Sequence, residues 1–322
     1  MNPRHRHIWV ACCLALTLAG CRYEDGYEGS FERTLTVTGR VRLELKNASG
    51  DVDITSGEPG EVRIRGEYRI RGWSFGGQRR RVEDLKDHPP IEQHGNFIRV
   101  GEQRESLRNI SIRYTVVVPA ETEVRASTGS GDLRLTGVRG PVKLSTGSGD
   151  VTAEDLGADA ALSTGSGDIL LRNLQGRVET STRSGDIHIQ QAKGDVRAST
   201  GSGNVRVEDV GGRLTTETGS GDIEVDGIGA DLRMTAGSGS LTVRGNPARS
   251  TFWELDTGSG DIELEVPPNA SFRLYARARS REIDTGLPMV IEEESRRELR
   301  ARIGQGEGRV EVRTSSGTIR IH

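Results

Sequence analysis

The six residues Ser145-Thr146-Gly147-Ser148-Gly149-Asp150 return unchanged at 163–168, and their closing Gly-Asp step recurs along much of the chain. Asp132, Asp150, Asp168, Asp186, Asn204, Asp222 and Ser240 lie 18 residues apart, and Asp261 follows after 21. A short fixed period marks a solenoid, in which each repeat is one supersecondary unit that buries its apolar face only by stacking on the next.

Inside each unit the apolar residues form columns. Leu133/Leu135, Val151/Ala153, Ile169/Leu171, Ile187/Ile189, Val205/Val207, Ile223/Val225 and Leu241/Val243 follow the Gly-Asp step. This is the period-2 alternation of a half-buried strand. A lone apolar residue comes three positions later (Val138, Leu156, Leu174, Ala192, Val210, Ile228). A second short strand then carries Val142/Leu144, Ala160/Leu162, Val178/Thr180, Val196/Ala198, Leu214/Thr216 and Leu232/Met234. The expected fold is therefore all-β, a parallel β-solenoid with two short strands per 18-residue coil and atypical capping units at both ends. Coils should stack about 4.8 Å apart. A left-handed hexapeptide helix needs an aliphatic at every sixth position, and the spacing here excludes it. The column Pro141, Asp159, Arg177, Asp195, Arg213, Asp231 alternates in sign, as neighbours in a charge ladder would.

The repeated step reads as a corner. Apolar parity shifts between Thr146 and Val151, which calls for backbone angles open mainly to glycine. Gly131, Gly149, Gly167, Gly185, Gly221 and Gly260 supply the bend. Asp132, Asp150, Asp168, Asp186, Asp222 and Asp261 supply acceptors for turn N–H groups. A calcium column is the rival reading, but Asp follows Gly directly, and Asn204 and Ser240 interrupt the carboxylates. Asp256-Thr257-Gly258 and Asp284-Thr285-Gly286 mimic an aspartic-protease motif. Ser127, Ser145 and Ser163 fill the position of Asp256 in other coils, which marks it as a variable outward site. The glycines lead into strands and no Gly-Lys-Ser/Thr follows, so no phosphate loop is expected. His88, His94, His188 and His322 show no metal spacing. No cofactor, metal or catalytic residue is expected.

Five segments are expected: a signal peptide over 1–20, a tether over 21–32, irregular β-coils over 33–126, regular repeats over 127–264 and capping units over 265–322. A loop at 71–95 interrupts the irregular coils. Trp73, Phe75 and Arg79, Arg80 and Arg81 within it form the candidate partner surface, since long loops often carry function. Within the capping region, residues 292–302 suit a short helix or an exposed hairpin. Only 4% of residues are aromatic, and the formal charge is −3, so there is no basic footprint for nucleic acid.

Residues 1–21 place Arg4 and Arg6 before an apolar run from Ile8 to Ala19, the layout of a secretory signal peptide and too short to span a bilayer. The run ends in Leu18-Ala19-Gly20-Cys21, which resembles the lipobox of bacterial lipoproteins. That resemblance implies that Cys21 carries the lipid anchor. Cys12 and Cys13 leave with the signal, so no disulfide partner remains. Arg22, rather than Asp, follows Cys21, which by the same resemblance favours the outer membrane.

Val118-Pro119 leading into Val124–Asp132, the repeated Ser-Gly-Asp-Ile and the closing Arg313–Ile321 resemble the bacterial "putative adhesin" family of β-strand repeats of unknown function. The resemblance spans roughly 33–322 and implies a β-solenoid, export and membrane anchoring, without catalytic residues. The expected role is a non-enzymatic, lipid-anchored envelope scaffold for adhesion, with an envelope protein or glycan as partner. An envelope-stress accessory module and a polysaccharide-acting β-helix are the alternatives. The oligomeric state is not legible.

Overall fold

The computed structural model describes residues 27–70, 83–101, 110–247, 249–279 and 283–322. Cys21, Trp73, Phe75, Arg79, Arg80 and Arg81 lie outside them. The described strands, β1 to β29 in chain order, form two long sheets of 14 and 15 strands around one core.

In the regular region one sheet takes β8 (Glu123–Ser130), β10 (Val142–Ser148), β12 (Ala160–Ser166), β14 (Val178–Ser184), β16 (Val196–Ser202), β18 (Leu214–Ser220), β20 (Leu232–Ser238) and β22 (Phe252–Ser259). The other takes β9 (Leu133–Thr136), β11 (Val151–Leu156), β13 (Ile169–Leu174), β15 (Ile187–Ala192), β17 (Val205–Val210), β19 (Ile223–Ile228), β21 (Leu241–Gly245) and β23 (Ile262–Glu265). All these neighbours are parallel, and Val142 sits opposite Ala160, Ala160 opposite Val178 and Val178 opposite Val196. Equivalent residues of successive coils thus lie side by side, and the solenoid expected from the period is the observed fold. The apolar columns point inward and are buried from Leu133 to Leu264.

Two local devices bend the coil. At one corner Gly149, Gly167, Gly185 and Gly203 adopt φ of 142°, 143°, 145° and 148°. At the other, Asp155, Asn173, Gln191 and Asp209 hold left-handed φ of 57°, 52°, 59° and 56°, with Gly137 and Gly227 in the same column. Asp and Asn tolerate this region better than most L-residues do, and Gln191 follows the same path in the stack. Each such residue inserts one position into its strand, so that Leu156, not Asp155, turns back into the core after Ala153. That kink, shared in register by the stacked coils, is the physical reason for the three-residue step in the apolar pattern.

The ends depart from the repeat. β1 (Tyr27–Thr36) pairs antiparallel with β4 (Glu61–Ile70), and Phe31 is buried against Tyr68 and Tyr114. The tether expected over 21–32 therefore stops short: an apolar residue buried at 31 and a continuous backbone ladder put Tyr27 onward in the sheet. Within the expected loop at 71–95, residues 83–87 are helical, with Leu85 buried, and β5 (Ile91–His94) pairs with β6 (Phe97–Val100). The charge-dense stretch at 292–302 lies in a hairpin of β26 (Val290–Glu294) and β27 (Glu298–Ile303).

Spatial order differs from chain order at both ends. The coil of β2 (Arg42–Asn47) and β3 (Val52–Gly57) lies between the layer of β6 and β7 (Ile110–Pro119) and the layer of β8 and β9. At the far end, β28 (Gly308–Ser316) and β29 (Ile319–Ile321) slot between the layer of β22 and β23 and the layer of β24 (Phe272–Ala278) and β25 (Ile283–Thr285). The first and last coils are each tucked one layer in.

Candidate functional site

The corner residues form a ladder from coil to coil. The amide of Asp168 donates to Asp150 Oδ1 at 2.9 Å, that of Asp186 to Asp168 Oδ1 at 2.8 Å and that of Asn204 to Asp186 Oδ1 at 2.7 Å. Asp222 donates to Asn204 Oδ1 at 2.9 Å and Ser240 to Asp222 Oδ1 at 2.8 Å. The series opens at Asp51, whose Oδ1 accepts from the amide of Asp132 at 3.2 Å; Asp132 Oδ1 in turn accepts from Asp150 at 3.1 Å, and Asp261 Oδ1 accepts from Thr318 at 2.8 Å. An amide-type oxygen suffices for this bond, and Asn204 supplies one in the middle of the column. The acceptor serves the next coil rather than its own turn.

Glycine before each of these residues follows from close approach. A Cβ on Gly167 would stand 2.2 Å from the carbonyl oxygen of Gly149. Buried threonines close the corner from inside: Thr146, Thr164, Thr182, Thr200 and Thr218 donate to the carbonyls of Gly131, Gly149, Gly167, Gly185 and Gly203 at 2.9–3.1 Å. Ala236 breaks that row and has no hydroxyl to give.

Beside the aspartates runs a groove of about 640 Å³ whose floor carries Leu170, His188 and Arg206. Next to it the outward face of the sheet is cross-linked. Arg172 bridges Glu154 (3.1 Å) and Gln190 (3.0 Å), and Gln190 donates to Glu208 at 3.0 Å. Arg206 bridges Glu208 (2.7 Å) and Glu224 (2.6 Å), and Arg244 bridges Glu224 (2.6 Å) and Glu265 (3.0 Å). The hydrogen bond from Arg206, joined by that from Gln190, pulls the Glu208 carboxyl from its ordinary 4.5 down to about 2. The signal for this row was present in the sequence as polar residues at 18-residue spacing, but only the register says which ones touch.

The alternating column at the opposite corner works differently from a chain of ion pairs. Asp159 and Asp195 accept from the backbone amides of Arg177 and Arg213 at 2.9 and 3.0 Å. Among the described residues, a side-chain ion pair within the column joins Arg213 to Asp231, at 3.1 Å.

A larger depression of about 1030 Å³ lies near the first strands. Its charges are matched in pairs: Arg65 with Glu67 at 2.7 Å, Arg69 with Glu28 at 2.7 Å and Arg113 with Asp51 at 2.6 Å. Burial pushes the Asp51 carboxyl up, but the amide of Asp132 and the Arg113 guanidinium outweigh it and leave the pKa lowered.

The two Asp-Thr-Gly triplets fall on different sheets, Asp256 in β22 and Asp284 in β25, so they share no proton. Folding does bring Glu263, Glu265 and His322 within 4.8 Å of one another, a potential metal-ligand group hidden by 57 residues of sequence separation. Arg244 already occupies Glu265 and places a positive charge beside it.

Two sheets wound from one repeated coil, outward residues in rows and both ends closed by irregular layers define a capped parallel β-solenoid. The chain belongs to the Toastrack DUF4097 family, whose profile matches residues 41–212 and again 179–322. Among curated proteins none matches it. A solved structure described as a "putative cell adhesion protein" from Clostridium sporogenes aligns over 91% of this chain and 99% of that one, at 11% identity and a TM-score of 0.25.

Proposed function

We propose that the protein is a non-enzymatic, lipid-anchored scaffold of the bacterial cell envelope, presenting a long polar surface for adhesion or envelope interaction. The observation that carries this reading is the set of outward rows, from Glu154 to Glu265 on one sheet, fixed at coil spacing by backbone ladders and tied together by side chains. A rigid, repeated surface suits an extended partner, because little conformational freedom is lost when it binds. The lipobox-like Leu18–Cys21 supports attachment through Cys21, with the outer membrane as the favoured site.

Two measurements on the full chain test the reading. Labelled palmitate should enter the wild type and be lost in Cys21→Ser, which should leave the membrane fraction. Envelope extract should yield a saturable partner in a pull-down with the full chain. Failure of both overturns the proposal.

A further inference from the structure

Across the capping end, one outward row departs from the charge balance seen elsewhere. Register places Val290, Arg302, Arg273, Arg309 and Phe252 side by side on five adjacent strands, β26, β27, β24, β28 and β22. Three arginines stand in line, where like charges directly opposite one another are unfavourable. Arg309 shares Glu311 with Arg313, and Arg302 donates to the carbonyl of Gly304 at 3.3 Å. Arg273 and Arg302 have no ion-pair partner among the described residues. Phe252 and Val290, at the two ends of the row, are 38% and 53% exposed, and only Ile291 joins them as exposed large hydrophobics of the described chain.

The place is as unusual as the charge. The three extra residues of the 21-residue coil bring Ser250 and Thr251 against 307–309, through bonds from Ser250 N to Glu307 O at 3.3 Å and from Arg309 N to Thr251 O at 3.0 Å. Together they wall a depression of about 470 Å³ that opens on Phe252, Arg273 and Arg309. The Arg309 guanidinium lies 5.5 Å from the centre of the Phe252 ring.

We infer that this row binds a linear polysaccharide bearing carboxylates, of the polyuronate class. The inference deepens the proposed scaffold role and rests on it. Guanidinium groups recognise carboxylates in a two-pronged fork. One such group per strand, about 4.8 Å apart, repeats at roughly the length of a sugar ring. The ring of Phe252 supplies an apolar face for sugar C–H groups. A lipid surface fits less well, because Phe252 and Val290, the exposed apolar residues of the row, stand at its opposite ends with three arginines between them rather than in one insertable patch.

The test uses labelled oligogalacturonate and the full chain, with binding read by anisotropy at low and raised salt. The wild type should bind, more weakly as salt rises. Arg273→Ala and Phe252→Ala should each weaken binding about ten-fold, the loss of one good polar or stacking contact. Arg273→Ala should melt no lower than wild type, since it relieves a like-charge contact. Arg197→Ala, on the same sheet but paired with Glu217, should bind as wild type. The methyl-esterified oligomer should not bind. Absence of oligogalacturonate binding, equal losses in Arg197→Ala, or preference for anionic phospholipid vesicles would overturn the inference. If the oligomer fails while the pull-down still captures an envelope partner, the scaffold reading stands and this site falls.

Discussion

The backbone amide of Asn204 donates to the side-chain oxygen of Asp186 across a coil boundary, at 2.7 Å. Sequence places these residues at equivalent points of two repeats; space makes one the acceptor for the other. Repetition of that bond turns a polar corner into a continuous seam.

Removal of one acceptor should therefore cost about the worth of a single hydrogen bond, ~1 kcal/mol, in Asp186→Ala. Asp186→Asn should melt near wild type, because the bond needs an oxygen rather than a charge. Thermal unfolding of both variants decides the matter, and equal destabilisation would show that the carboxylate charge carries the effect.

Gly167 has φ of 143°, and an added Cβ would press on the Gly149 carbonyl. Gly167→Val should destabilise the protein by about 1–3 kcal/mol, the usual strain of a side chain held in such a conformation. A wild-type melting temperature would refute the close approach at this corner.

Ala236 stands where Thr218 and Thr257 donate hydroxyls to the carbonyls of Gly203 and Gly239 at 3.1 and 2.9 Å. Ala236→Thr should restore the missing donor to Gly221 and raise stability by about 0.5–1.5 kcal/mol. A fall in melting temperature would mean that the site lacks room for the larger side chain.

Acid should loosen the outward row at Glu208. Its folded-state pKa, about 2, lies below the ordinary 4.5, so its contribution is complete above 4.5 and disappears as pH falls toward 2. The pair is solvent-exposed, which keeps the effect small. Arg206→Gln should melt below wild type at neutral pH, and the gap should narrow through that acid window. A gap constant with pH would sink the assignment.

Much of the fold was legible because a coil's chemistry is local. Val151, Ala153 and Leu156 had to face one way, and Gly149 had to bend, whichever coil lay above. The site was harder to read, since only the register shows that Arg206 reaches both Glu208 and Glu224. The Arg302–Arg273–Arg309 row was invisible, because its members come from strands that leave chain order. Phe31 was misassigned for a related reason: its partners Tyr68 and Tyr114 lie far along the sequence, and nothing periodic announces them.

The tucked-in first coil also has a mechanical meaning. A pull on the segment before Tyr27 would strip β1 from β4 along one free edge, pair by pair. The load would then reach β2, which is gripped by β6 on one side and β8 on the other. Peeling would stop there, because further extension must break two seams at once. A chain hung by its N-terminus would thus yield one edge strand as slack and keep its stack of coils intact.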